Sequence, residues 1–249
     1  MTVAAQARGR PTPSPDADLA FTVVALERRR PDIVEVWLRP LGDPLVYRAG
    51  QYVLLEGAGG RVQPRSYSLA NAPRADGLIS LLVTKVADGQ ASTWIHGGLR
   101  PGDSATLSGP HGDFTAGAAS PGAWIFLAAG SGLAPLRAMV EETLATDPRT
   151  VLTLIFSART EEDVLDRDRF AFLQASCPSF EFIRTLTRGA GPPPHGRIPA
   201  ILPRLYPDLA EHDVFIAGSG GFVDACARTA ATLGVPCERV HTEAFSLAA

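Results

Sequence analysis

Between Phe21 and Gly109, short apolar runs alternate with Gly, Pro and charge. The pattern is clearest at residues 33–39, where Ile33, Val34, Val36 and Leu38 face Glu35 and Arg39 in alternation. Side chains on a strand point to opposite faces in turn, so such runs predict half-buried strands. The predicted strands are 21–29, 33–39, 51–55, 65–68, 78–83 and 104–108, with a short helix over 92–99 for which Ser92 is the expected N-cap. Six short strands in about 90 residues predict a compact antiparallel barrel. The texture changes near Gly117. Uninterrupted apolar strands at 124–128, 151–156, 180–185, 214–217 and 237–241 now alternate with helical patterns at 133–145, 161–174, 199–205 and 221–233. Strands apolar on both faces with helices between them predict a parallel sheet covered on both sides. The expected architecture is a loose tail (1–17), an antiparallel six-stranded β-barrel (18–116), and an α/β parallel-sheet domain (117–249).

Composition narrows the function. The 249 residues carry a net charge of −3, so no basic excess is available for nucleic acid. Cys177, Cys226 and Cys237 are too few for a disulfide scaffold or a cluster of four thiolates. The five histidines show no metal-ligand spacing, and neither a GxSxG elbow nor a Walker A loop occurs. No apolar stretch is long enough to cross a membrane, and the N-terminus lacks the apolar core of a secretory signal. The expectation is a cytoplasmic protein without membrane insertion.

Several short segments carry candidate chemistry. Arg65-Ser66-Tyr67-Ser68 places a planar phosphate-binding fork next to an aromatic ring, with Arg65 and Tyr67 on one strand face and Ser66 and Ser68 on the other. Gly89-Gln90-Ala91-Ser92 opens a helix, where free N–H groups attract an anion. Ala129-Gly130-Ser131-Gly132 lies between the first strand of the sheet and its helix, the position of a pyrophosphate-binding turn. Pro135 is tolerated in the first helical turn, where its missing N–H costs nothing. Arg159 and Arg188, with Ser157 and Thr187, follow the second and third sheet strands. There they either pair with a 2′-phosphate or form surface ion pairs with Glu161, Glu162 and Asp163. Ala217-Gly218-Ser219 ends a later strand, and Thr242-Glu243-Ala244-Phe245 is nearly terminal.

RSYS (65–68), GQASTW (89–94), GPHGDF (109–114), AGSGLAPL (129–136), AGSGG (217–221) and TEAF (242–245), in this order, resemble the ferredoxin–NADP reductase-like flavoprotein family over about residues 20–245. The resemblance implies a flavin-binding barrel and an NAD(P)-binding α/β domain. It puts Arg65 on the flavin phosphate, Tyr67 beside the isoalloxazine and Ser68 near its N5 edge. Ala91 and Ser92 would bind phosphate at the helix start, and Ser66, Leu82, Val83, Gly89 and Gln90 complete the flavin set. Gly130, Ser131, Gly132 and Pro135 would face the NAD(P)H pyrophosphate. Ser157, Arg159, Thr187 and Arg188 would surround the adenosine ribose, Gly218 and Ser219 would lie by the nicotinamide, and Glu243 and Phe245 would border the flavin. Ser68 and Glu243 are the catalytic candidates. Many members carry Cys-Gly-Pro where this chain has Ala217-Gly218-Ser219, a departure that bears on nicotinamide placement. The implied activity is hydride transfer from NAD(P)H, NADPH favoured over NADH, onto FAD rather than FMN. A monomer would then pass electrons singly to a separate ferredoxin or flavodoxin-like carrier. Two alternatives are an NAD(P)H:flavin oxidoreductase that releases reduced flavin, and a non-catalytic flavin-binding module of a larger assembly. Arg8, Arg10, Arg28, Arg29 and Arg30 are candidates for a basic patch facing an acidic carrier.

Overall fold

The computed structural model describes residues 18–57, 62–118, 122–188 and 194–245. The expected tail, with Arg8 and Arg10, lies outside them. Strands β1 (Leu19–Arg30), β2 (Ile33–Pro40), β3 (Tyr52–Glu56), β4 (Arg65–Ser68), β5 (Ile79–Thr84) and β6 (Ser104–His111) form one antiparallel sheet in the order β4-β3-β6-β1-β2-β5. Inward positions such as Phe21, Val36, Leu38, Leu81 and Leu107 fill it, and helix α1 (Gln90–Gly97) adds Ile95 to that core. Among the described residues, the chain just past β4 joins β5 through a bridge between Leu69 and Leu81, so the barrel closes along a partial seam.

The second unit follows as β7 (Ala123–Ala129), α2 (Leu133–Thr146), β8 (Leu152–Ala158), α3 (Arg167–Ser176), β9 (Phe180–Leu186), α4 (Ile198–Leu205), β10 (His212–Ser219), α5 (Gly220–Thr232) and β11 (Val240–Phe245). Its parallel sheet runs β11-β10-β7-β8-β9, so the strand order reverses between β7 and β10. Ligands of such sheets bind beyond the carboxyl ends of the strands at that reversal. Among the described residues, no helix is long and apolar enough to cross a membrane.

Three local expectations are corrected. The helix expected over 161–174 is a 3-10 turn at Glu161–Asp163 followed by α3, because Asp166 takes a left-handed conformation (φ 53°) that turns its carboxylate inward. The strand expected over 237–241 is a 3-10 turn at Cys237–Arg239, and the strand begins at Val240, so Glu243 and Phe245 sit on a sheet strand rather than a frayed end. Gly89, not Ser92, is the N-cap of α1. The Ser92 hydroxyl accepts from the Val86 N–H at 3.0 Å and donates to the Gly89 carbonyl at 3.1 Å, so it ties down the preceding loop instead.

The two units share one apolar core. Ile33, Ala49, Ala70, Leu82 and Phe114 of the barrel belong to the same buried cluster as Leu136, Met139 and Phe215. Gly50 makes this contact possible: it has φ 99°, and a Cβ there would lie 2.0 Å from the Phe114 carbonyl oxygen and 2.3 Å from the end of Met139. Gly50→Ala is therefore expected to lower the unfolding free energy by at least the overpacking cost of about 1–3 kcal/mol. Urea unfolding reads this as a lower midpoint at constant slope. An unchanged midpoint would show that the junction yields freely.

Candidate functional site

Past the Leu69–Leu81 bridge the barrel edges part, and a groove opens between β4 and β5. Its deep end is a cavity of about 350 Å³ between the two units. Ser66, Tyr67 and Ser68 line it from β4, Leu82 and Thr84 from β5, Ser131 from the turn after β7, and Glu243 and Phe245 from β11. A second cavity of about 330 Å³ continues along Arg65, Ser66 and Tyr67 to residues 89–92. A third, of about 200 Å³, lies at Arg65, Asp88, Gln90 and Ala91. Strict face alternation on β4 does not survive, since Ser66 and Tyr67 both line the groove. The reason is that β4 is an edge strand, and the groove runs along its open side. Val83 differs from its neighbour Leu82: its side chain is buried in the barrel core, and its carbonyl lies 3.0 Å from His96 Nε2.

Two hydrogen bonds cross the cavity between the units. Thr84 Oγ1 donates to Ser131 Oγ at 3.0 Å, and Ser68 Oγ donates to Glu243 Oε2 at 3.0 Å. Burial pushes the Glu243 carboxyl from 4.5 up to about 7, against the opposing pull of the Ser68 hydroxyl. Burial likewise pushes the Tyr67 phenol up to about 12, so it stays neutral as a flat wall at ordinary pH. At the shallow end Arg65 has no carboxylate partner among the described residues. The N-terminus of α1 has neither a side-chain cap nor an acidic residue in its first turn. An unpaired guanidinium and uncapped N–H groups around one groove suit a phosphate.

The turn after β7 is a 3-10 turn, Gly130–Gly132, leading directly into α2. Gly130 has φ 57°, and a Cβ on Gly132 would lie 2.2 Å from the Ala217 carbonyl oxygen. Two strand ends thus touch at the order reversal only because residue 132 has no side chain. Pro135 is buried inside the first turn of α2. Nearby, a cavity of about 410 Å³ is lined by Ser157, Thr187 and Ser219, together with Arg197. Gly218 lies behind it, against the Phe222 ring.

Of the two places open to Arg159, the ribose and a surface ion pair, it takes the ion pair. Arg159 does not line this cavity; it turns to Asp163 at 3.3 Å and Asp32 at 3.7 Å. Arg188 is exposed and lies outside the lining. Arg197, which motif spacing did not flag, takes the place in the cavity and has no carboxylate partner among the described residues. The expected basic patch also falls away at β1. Arg29 pairs with Glu27 and Asp166, Arg30 with Asp32 and Asp163, and Arg28 bonds the Pro31 carbonyl. Arg28 and Arg29 line a separate crevice of about 560 Å³ against residues 161–169, not the groove. Among the described residues no group of His, Cys, Asp and Glu could hold a metal.

Residues 33–116 match the family described as "Oxidoreductase FAD-binding domain", and residues 126–228 the one described as "Oxidoreductase NAD-binding domain". Ferredoxin--NADP reductase B of Sorangium cellulosum is 37% identical over 216 residues, covering 82% of this chain and 87% of its own length. The chain belongs to the ferredoxin–NADP reductase-like family. The reductase component of propane 2-monooxygenase from Rhodococcus jostii is 27% identical over 93% of this chain, which spans 65% of that protein's length. Among solved structures, the Amycolatopsis cytochrome P450 reductase GcoB superposes with a TM-score of 0.86 at 29% identity, over 92% of this chain and 70% of that one. The chain is thus a two-domain oxidoreductase with an FAD-binding barrel and an NAD(P)-binding α/β domain.

The raised Glu243 carboxyl has a stability signature. Ionising it in the folded chain costs more than in the unfolded chain, so stability is greatest below about pH 4.5 and is lost as pH rises through about 7. Glu243→Gln removes that loss. Relative to the parent chain, the variant is expected to be more stable at pH 8 than at pH 4.5 by chemical unfolding. The same difference at both pH values would show a carboxyl that titrates normally.

Proposed function

We propose that this reductase takes hydride from NADPH onto FAD held in the β4–β5 groove and passes the electrons singly to a ferredoxin or flavodoxin-type carrier. The observation that carries this reading is the cavity where Ser68 of the barrel and Glu243 of the α/β domain meet across a space walled by Tyr67 and Phe245. When bound, FAD supplies the exchange between a two-electron donor and a one-electron acceptor.

The chain's own residues do the rest. Arg65, with the N–H groups of Gln90, Ala91 and Ser92, would hold the flavin phosphates, and Gly89 lets the backbone come close. Tyr67 covers one face of the ring site, and β4 and β5 flank it with Ser66 and Leu82, while Val83 faces the barrel core. Gly130, Ser131 and Gly132, at the head of α2, receive the dinucleotide pyrophosphate, with Gly218 and Ser219 opposite. Ser157, Thr187 and Arg197 would surround the adenosine ribose, and Arg197, which lines the cavity and has no carboxylate partner among the described residues, would meet a 2′-phosphate; this supports NADPH over NADH. Arg159 and Arg188 stand further out on the same rim. Ser68 and Glu243 hold a proton at the meeting point. With its acidity lifted to about 7, Glu243 both donates and accepts near neutral pH. Phe245 closes the cavity from water. The one-electron carrier is supported by the similarity to a ferredoxin--NADP reductase and to an oxygenase reductase component.

Anaerobic titration of the purified chain with NADPH and with NADH tests this directly. NADPH is expected to bleach a retained flavin at lower concentration than NADH. Equal bleaching by both would remove the preference, and a chain that takes up neither FAD nor FMN would end the reading. Arg197→Ala is expected to lower kcat/KM for NADPH about 10- to 100-fold, the worth of one charge-assisted hydrogen bond, and to leave NADH within about twofold. Arg65→Ala is expected to weaken FAD retention by a similar 10- to 100-fold factor; unchanged flavin occupancy after gel filtration would place the phosphate elsewhere.

A further inference from the structure

Arg137 is a fully buried arginine in the second turn of α2. Its Nε donates to the carbonyl oxygen of Ala70. Its Nη2 reaches Glu35 at 2.5 Å and Ser80 Oγ at 3.0 Å, and its Nη1 reaches Asp166 at 2.7 Å. Three of these four partners belong to the barrel: Glu35 on β2, Ser80 on β5, and Ala70 just past β4. The fourth, Asp166, belongs to the α/β domain and is held in its left-handed conformation between Arg137 and Arg29. The side chains of Arg137, Glu35 and Asp166 are 0%, 1% and 2% exposed, so these contacts are made out of water.

The positions of the anchors matter more than their number. Ala70 lies two residues beyond Ser68, and Ser80 lies four residues before Thr84, which donates to Ser131 across the cavity. Arg137 itself is one turn below the Gly130–Gly132 turn on the same helix. One rigid guanidinium therefore ties the helix that begins at the dinucleotide turn to both strands that flank the groove. A planar fork with four fixed partners allows one relative orientation, whereas apolar packing tolerates sliding.

We propose that Arg137 is a positioning residue for hydride transfer: it fixes the angle at which the α/β domain presents the nicotinamide to the barrel. This rests on the functional reading above for its kinetic consequence, while the mechanical part concerns the chain alone. A change of about 1 Å in such a geometry is enough to cost about 100-fold in rate.

Two variants test it. Arg137→Lys keeps the charge and loses the fork. The triple variant Arg137→Met/Glu35→Gln/Asp166→Asn removes all three buried charges, so that it folds even where the lysine variant does not. Calorimetry of the flavin-free chain is expected to show one cooperative unfolding transition for the parent and two for either variant. With FAD loaded, the rate of flavin reduction by NADPH in stopped flow is expected to fall about 10- to 100-fold. The long-wavelength absorbance of the stacked nicotinamide and flavin should weaken with it, and FAD and NADPH affinities should stay within about twofold. A folded variant with a single transition and a parental reduction rate would overturn the proposal. So would a parallel loss of FAD affinity, which would make Arg137 part of the flavin site. If the parent chain bound no flavin, the functional reading would fail, while the calorimetry would still judge the coupling of the two units.

Discussion

A guanidinium taken wholly out of water costs several kcal/mol in lost hydration, and only near-complete hydrogen bonding offsets it. Arg137 meets that condition with two carboxylates, a hydroxyl and a carbonyl, contributed from both units. The arrangement is all or none. Each partner left alone would be a buried charge or polar group without compensation, at about 3–5 kcal/mol for an ion pair broken on one side. Much of the local structure bends to satisfy it. Asp166 adopts a backbone conformation unusual for a residue with a side chain, and the helix that periodicity predicts from residue 161 is interrupted there and restarts at Arg167. The apolar contacts around Met139 and Phe114 supply area, and the ionic contacts supply direction.

Direction is what the site requires. Neither unit contains the cavity alone: the barrel contributes Tyr67 and Ser68, and the α/β domain contributes Ser131, Glu243 and Phe245. The Ser68–Glu243 contact exists only when the units stand as they do, and the desolvation that shifts Glu243 is itself produced by their approach. Geometry between the units and acidity within the cavity are therefore coupled. A chain whose domains drifted apart would lose both the position of the donor and the poise of the carboxyl.

Much of this was legible in the chain. Short apolar runs set off by Gly, Pro and charge located the barrel strands and longer ones located the sheet, because both patterns arise from burial on one face or two. The short motifs at 65–68, 89–92 and 130–132 mark the groove and the turn, because glycines and edge-strand polar residues have few other uses at such places. What was not legible depends on long-range partners. For Arg159 the sequence left the ribose and a surface ion pair both open; Asp163 at 3.3 Å, joined by the distant Asp32 at 3.7 Å, holds it in the ion pair. Arg197 was passed over because no strand end precedes it directly; the start of α4 brings it to the cavity. Ser92 has the composition of an N-cap and serves the loop behind it. Arg137 sits in the apolar first half of α2, Leu133 to Val140, and gives no local sign that its partners lie on two strands and a turn of distant sequence. A lone arginine among Leu, Ala and Met was the signal available.

The contact between Gly132 and the Ala217 carbonyl has a consequence for how this scaffold can diverge. With that oxygen only 2.2 Å from where a first side-chain carbon would stand, position 132 admits no side chain without prying two strands apart. Arg159, Thr187, Arg188 and Arg197, at the tips of β8 and β9 and the start of α4, are by contrast exposed. Descendants of this sequence that change their preferred coenzyme are thus channelled toward the periphery, leaving an invariant hub inside an adaptable margin.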